Sequence, residues 1–284
     1  MSQVKVVTDS TSDIAPETVS ELGIVVVPLN IHFGDETLLD GVEITNQEFY
    51  ERLVASRQMP TTSQANPEAF RAAFEKAVEE GAEGVVCVSV SSKLSGTYNS
   101  AMLGAREIAG VDVRVVDSRS ASMALGWAAI AAAEAARDGA DIDEVERVAR
   151  DTAARSRLCF FADTLEYLQR NGRIGRAQSL VGSVLQVKPL LVLDDGEVVA
   201  YQRTRTRAKA IQALINWCAQ LREPERMSVV WNANEDELKR LMDGLAPVFP
   251  RDQIVVSTYG PVIGVHIGPG SLGVLAVEGS RGSG

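Results

Sequence analysis

Histidine, cysteine and aromatic residues are all scarce in this chain of 284 residues, at two, three and 5%. With only His32 and His266, a histidine-rich metal centre has too few ligands to assemble. Cys87, Cys159 and Cys218 lie far apart with no C-x-x-C pair. That excludes a disulfide framework and suits buried thiols in a reducing compartment. So few aromatics leave the cores to Val, Leu, Ile and Ala. No phosphate-cradling G-x-x-x-x-G-K-[ST] loop occurs, so nucleotide binding fares poorly.

Positive charge is also short. Against 38 acidic residues there are 28 basic ones, a net charge of −10. Most of this surface repels a polyanion, which argues against nucleic-acid binding and allows only transient contact with an anionic membrane. The longest apolar run, Met123–Ala133, ends at Glu134 and is too short to span a bilayer. No charged-then-apolar leader precedes the strand-like Val4-Val6-Val7 run, so a cytoplasmic protein is expected. What the chain does have is ordinary globular composition, 45% hydrophobic and 23% charged, with length for about two domains.

Short β-rich runs alternate with helical patterns in the first half. Val4–Val7, Ile24–Val27, Val85–Val90 and Val113–Val116 read as buried strands. Helices are expected at Pro16–Leu22, Pro67–Glu80, Tyr98–Ile108 and the Ala-rich Ala121–Arg137. Asn66-Pro67 is an N-cap with Pro at N1, and Thr45-x-x-Glu48 is a capping box. The alternation predicts an α/β domain over 1–156 with a mainly parallel sheet. Within it, Leu29–Phe33 and Leu38–Val42 are hairpin-like, and 28–60 can cross to the second domain. An α+β domain is expected over 157–278, with Gly279–Gly284 as a frayed tail. Its elements are a strand at Leu158–Phe161, a helix at Leu165–Gln169, and the loop Asn171–Gly175. Val187–Leu193 and Glu197–Arg203 then flank the hairpin signal Asp194-Asp195-Gly196. Helices at Ala208–Leu221 and Glu235–Leu245 and strands at Ser228–Trp231 and Gln253–Ser257 complete it.

Small polar clusters follow the predicted strands, where open α/β sheets bind ligands. Asp9, Ser10 and Ser118 read as helix caps. The Ser91–Thr97 cluster holds more than a cap requires. With Ser95 at an N-cap and the backbone N–H groups of Gly96 and Thr97 beside it, an anion site and a plain cap both fit. His266 sits in Gly260–Gly270, among glycines and prolines that hold an imidazole in a defined place. It reads as a hydrogen-bond donor to a ligand or as a buried structural histidine; His32, in an apolar alternating run, reads as structural. Nine basic against five acidic residues lie between 157 and 209. Arg203, Arg205 and Arg207 alternate, so an extended stretch places them on one face, either solvated or anion-binding. Lys93-Leu94-Ser95-Gly96-Thr97 is not a G-x-S-x-G elbow, and no orienting acid is indicated. Donors without a catalytic base or a metal set suggest binding an anion, not transforming it. A serine hydrolase using Ser95 and His266 and a module sensing an anionic metabolite remain alternatives.

Seven motifs, in order, carry a resemblance: Thr8–Thr11, Pro60–Gln64, Ser92-x-x-Ser95-Gly96-Thr97-Tyr98, Gly172-Arg173-Ile174, Lys188-Pro189, Arg203-x-Arg205 and Gly260–Gly270. Together they resemble the DegV family from about residue 3 to 278. The resemblance implies a fatty-acid-binding protein of the FakB type, with no catalytic residues, cofactor or metal of its own. One acyl chain lies in a tunnel between or within two domains, and the protein presents it to a dihydroxyacetone-kinase-like kinase that makes the acyl phosphate. By motif, Thr62, Ser95 and His266 become carboxylate ligands with Thr61 and Gly96 as neighbours. Arg173 and Arg203 match positions tied to phosphoryl transfer or kinase contact. Asn171 stands where a second glycine is common. Leu158–Leu168 and Val181–Leu193 are expected to supply tunnel walls.

Overall fold

Valine-rich runs become strands because β-branched side chains suit a pleated surface buried on both faces. The computed structural model describes residues 4–56, 58–180, 188–232 and 234–280. Its first half runs β1 (Val4–Asp9), α1 (Pro16–Leu22), β2 (Val25–Val27), β3 (Asn30–Phe33), β4 (Glu36–Leu39), α2 (Asn46–Ala55) and β5 (Thr61–Ser63). It continues through α3 (Pro67–Glu79), β6 (Gly84–Ser89), α4 (Thr97–Arg106), β7 (Asp112–Asp117), α5 (Met123–Arg137) and α6 (Ile142–Arg155).

The parallel sheet has the order β2-β1-β6-β7. Alternate strand residues feed opposite cores. Val6, Val86, Val88 and Val116 face α5 and α6, while Val7, Val85, Cys87 and Val115 face α3 and α4. Beside it, β4-β3-β5 forms a small antiparallel sheet. The capping box starts α2 as expected, with Glu48 N–H donating to Thr45 Oγ1 at 3.3 Å and Thr45 N–H to Glu48 Oε2 at 2.9 Å.

The second half runs β8 (Ser156–Phe161), α7 (Glu166–Arg170), β9 (Lys188–Asp194), β10 (Glu197–Thr204), α8 (Arg207–Cys218) and β11 (Arg226–Trp231). Then come α9 (Glu235–Leu245), β12 (Val255–Thr258), α10 (Pro261–Ile267) and β13 (Leu272–Val277). Six strands form one mixed sheet, ordered β10-β9-β8-β13-β11-β12. The hairpin turns on Asp195 and Gly196, both at positive φ (49° and 80°). Helices α8 and α9 cover one face of this sheet. Helix α5 covers the other while also packing on β1 and β6. Lying between two sheets, α5 is buried all round from Met123 to Ala133, which explains its apolar, alanine-rich sequence.

Four expectations need correction. Helix α6 was not foreseen: it buries only a narrow stripe (Val145, Ala149, Thr152) on an otherwise charged helix. Strand β13 was not foreseen either, although it lies in the middle of the mixed sheet and is wholly buried. Its Gly273 reads like a breaker but is required, since a Cβ there would fall 2.2 Å from Tyr259 Oη. Arg203, Arg205 and Arg207 do not share a face, because β10 stops at Thr204 and Arg207 opens α8, paired with Asp163 and Glu237. The tail is not free from Gly279. Gly279 N–H donates to Arg222 O at 3.1 Å and Ser280 N–H to Glu225 Oε1 at 3.2 Å; residues 281–284 lie outside the described residues.

Candidate functional site

Within Gly260–Gly270, Pro261–Ile267 fold as helix α10. Pro261 occupies the N-terminal turn of α10, where its missing N–H is no loss, and Gly268 ends the helix at φ 72°. Gly264 lets α10 lie against α2, since a Cβ there would fall 2.5 Å from Phe49 Cε1 and 2.7 Å from Tyr50 Oη. His266 is therefore held in the last turn of a packed helix. Its Nε2 meets Thr62 Oγ1 at 2.8 Å. Thr62 reaches it because β5 pairs with β3, Thr62 opposite Ile31, which turns the neighbouring Thr61 to the exposed side.

Thr62, Ser95, Arg173 and His266 line one cavity. The remaining wall is largely apolar, including Leu29, Val90, Leu94, Leu158, Phe160, Leu168, Leu193, Val198 and Ile263. Thus Leu158–Leu168 and Leu193 do contribute walls, whereas Val181–Val187 lies outside the described residues. Thr61 and Arg203 do not line this cavity. Arg203 shares an outer crevice with Arg205 and Lys209 instead.

Ser95 precedes α4 by two residues, so Gly96 and not Ser95 is the N-cap. Its Oγ accepts from Thr97 N–H at 3.3 Å and lies 2.8 Å from Thr97 Oγ1. Gly96 is a close-approach glycine, because a Cβ would fall 2.2 Å from Gln64 Oε1. Gln64 and Ser63 were missed as lining residues, although both stand in the Pro60–Gln64 motif. Asp9 is a cap, as read from the sequence, of the short turn Ser10–Ser12: it accepts from Thr11 and Val90 N–H at 3.1 and 2.8 Å. Ser10 and Ser118 are not helix caps: Ser10 Oγ accepts from the distant Leu29 N–H at 3.1 Å, and Ser118 accepts from Ser120 N–H at 3.1 Å, in the stretch before α5 begins at Met123.

Arg173 is held by carbonyls. Nε donates to Leu94 O at 3.0 Å and Nη1 to Asn171 O at 2.7 Å. Among the described residues no carboxylate pairs with this guanidinium. Asn171 replaces the commoner glycine without strain, closing α7 at φ −87°. Its Nδ2 donates to Tyr167 O at 3.2 Å and Val265 O at 3.1 Å, which ties the arginine loop to the helix of His266.

Burial, with the Arg173 charge nearby, pulls the His266 imidazole down to about 3, so it is neutral at pH 7. Nδ1 is buried with no hydrogen-bond partner. Among the described residues no carboxylate orients this ring, and neither His266 nor Ser95 is the other's hydrogen-bond partner. A hydrolytic dyad needs that bond. Behind the cavity, Asp13 accepts from Gly260 N–H at 3.0 Å and Asp40 from the backbone at Val262. Desolvation raises Asp13 to about 8 and Asp40 to about 7. Among the described residues, no three His, Cys, Asp or Glu side chains gather as a metal site. The single G-x-G-x-x-G spacing, Gly268–Gly273, runs from helix α10 into strand β13, the reverse of a dinucleotide fingerprint.

A family model described as "Uncharacterised protein, DegV family" matches residues 3–279. The chain belongs to the DegV family. A DegV domain-containing protein of Streptomyces coelicolor is 41% identical over 285 residues, covering 96% of this chain and 97% of the relative. A DegV family protein from Thermus thermophilus, described by its fatty acid binding, superposes with a TM-score of 0.88 at 35% identity. The match covers 98% of this chain and 100% of that one. DegV of Bacillus subtilis, described as a fatty acid binding protein, gives 0.86 at 31% identity, covering 98% and 100%. The shared fold spans nearly the whole chain, and no helix among the described residues is long and apolar enough to cross a membrane.

Proposed function

We propose that this DegV protein binds one long-chain fatty acid with its carboxylate at Thr62, Ser95 and His266, beside Arg173. The observation that carries this is an apolar cavity whose polar groups are donors, with a guanidinium no carboxylate neutralises. A buried carboxylate needs such donors, because an unpaired charge in an apolar site is very unfavourable. If His266 Nε2–H donates to Thr62 Oγ1, the Thr62 hydroxyl is free to donate to the anion, and the neutral His266 acts on the carboxylate through Thr62. Ser95 Oγ accepts from Thr97 N–H, and when the Thr97 hydroxyl is the donor in the 2.8 Å bond between them, the Ser95 proton is left for the ligand. Thr61 and Gly96 are chain neighbours of these ligands and do not themselves line the cavity. The tail contributes about 0.8 kcal/mol per methylene buried.

A carrier of this kind presents its ligand to a separate dihydroxyacetone-kinase-like kinase. There a carboxylate oxygen attacks the γ-phosphorus of ATP, giving acyl phosphate and ADP. Arg173 at the carboxylate end and Arg203 on the outer basic crevice are the groups proposed for the phosphoryl-transfer step and the kinase contact. The protein itself then turns nothing over. Three free buried thiols suit a cytoplasmic location for this exchange.

Titrating the delipidated protein with palmitate and with hexadecanol tests the reading. Palmitate is expected to bind at least tenfold more tightly, and equal affinities would remove the anion site from the account. A parallel incubation of the palmitate-loaded protein with ATP and a candidate kinase reads acyl-phosphate formation. Cleavage of fatty esters by the protein alone, abolished in Ser95→Ala, would favour the hydrolase reading instead.

A further inference from the structure

The acyl cavity shares a wall with a second space. A crevice lined by Asp117, Arg119, Arg157, Asp194 and Asp195 has Leu158 and Leu193 on its surface, and the same two leucines line the cavity. Cys159 pairs with Val192 across β8 and β9, so the antiparallel register carries Leu158 opposite Leu193 one step on. Leu193 in turn pairs with Val198 on β10, which also lines the cavity. The three side chains make one row across three strands. Beyond that row the chemistry changes abruptly: Arg119 pairs with Asp117 at 3.0 Å and with Asp195 at 3.4 Å in the crevice.

Resting on the fatty-acid reading above, we infer that Leu158 and Leu193 are the partition that limits how long an acyl chain the cavity accepts. A methylene on the cavity side leaves water and gains about fourfold in affinity. One pushed past the leucines enters a wet, charged crevice, gains nothing of that, and desolvates the ion pairs of Arg119. Affinity therefore rises with chain length and breaks where the terminal methyl meets this row. Removing the two leucine side chains joins the cavity to the crevice and opens a second exit for the tail.

The test is a ladder of saturated fatty acids from laurate to behenate. Their affinities are measured for the wild type, for Leu158→Ala/Leu193→Ala and for Leu193→Phe, with folding checked by circular dichroism. The wild type is expected to gain about fourfold per methylene up to a break. The break moves to longer acids in the double alanine variant and to shorter ones in Leu193→Phe. If the alanine variant does not fold, the phenylalanine shift alone decides. A break at the same length in every folded variant overturns the partition. A wild type that binds none of the acids overturns the underlying reading instead.

Discussion

Thr62 and His266 lie 204 positions apart and meet through Oγ1 and Nε2 at 2.8 Å. The contact joins β5 in the first half of the chain to α10 in the second, so the polar end of the cavity forms only in the packed molecule. Thr62→Val keeps the shape, removes the hydroxyl and leaves Nε2 unpartnered. Losing a hydrogen bond to a charged group costs about 1.5–3 kcal/mol, so palmitate affinity is expected to fall roughly ten- to hundredfold. Calorimetric titration reads this, and an unchanged affinity would show that the hydroxyl does not touch the ligand.

Arg173→Gln tests the unpaired guanidinium. Glutamine can still donate to the Leu94 carbonyl but carries no charge. The preference for palmitate over hexadecanol is expected to shrink by about tenfold, with hexadecanol affinity itself unaltered. Equal losses for both ligands would make Arg173 a packing residue only.

Gly264→Ala separates α10 from α2, because the new Cβ would press on Phe49 Cε1 and Tyr50 Oη. Overpacking of this kind costs about 1–3 kcal/mol. As α10 carries His266, the thermal midpoint and palmitate affinity are expected to fall together. A lower midpoint with wild-type affinity would separate the helix from the site.

The acidic pair behind α10 gives a pH signature. Asp13 titrates near 8 and Asp40 near 7 in the folded protein, far above ordinary carboxylates, because burial disfavours their charge. The folded state therefore holds these protons while the unfolded state loses them. Their contribution to stability is complete below about pH 4 and is lost as pH rises through about 7 to 8. His266 acts oppositely: its depressed value makes the unfolded state the better proton acceptor between about 3 and 6.5, so its share of stability rises with pH there. Ligand-free protein is thus expected to lose thermal stability from pH 6 to pH 9, and Asp13→Asn to flatten that slope. A slope unchanged by Asp13→Asn would assign it to other groups.

Much of the fold was legible because strand and helix periodicities differ, and the valine-rich runs that became β1, β2, β6 and β7 carry no competing signal. Helix α10 was hidden because Pro261, Gly264 and the capping Gly260 and Gly268 serve needs, the approach to Phe49 above all, that local propensity cannot show. The same holds for Gly273 in β13. Thr62, Ser95 and His266 were legible one by one as motif residues, but their convergence rests on pairings across the chain. Thr61 could be separated from Thr62 only once the register against β3 fixed which side chain faces inward.

The most direct measurement is the content of the cavity itself. Protein purified without added lipid is denatured, and its organic extract is analysed by mass spectrometry against protein concentration. About one long-chain fatty acid per chain is the predicted result. An extract free of fatty acid, together with no uptake when the protein is later incubated with palmitate, would contradict the account.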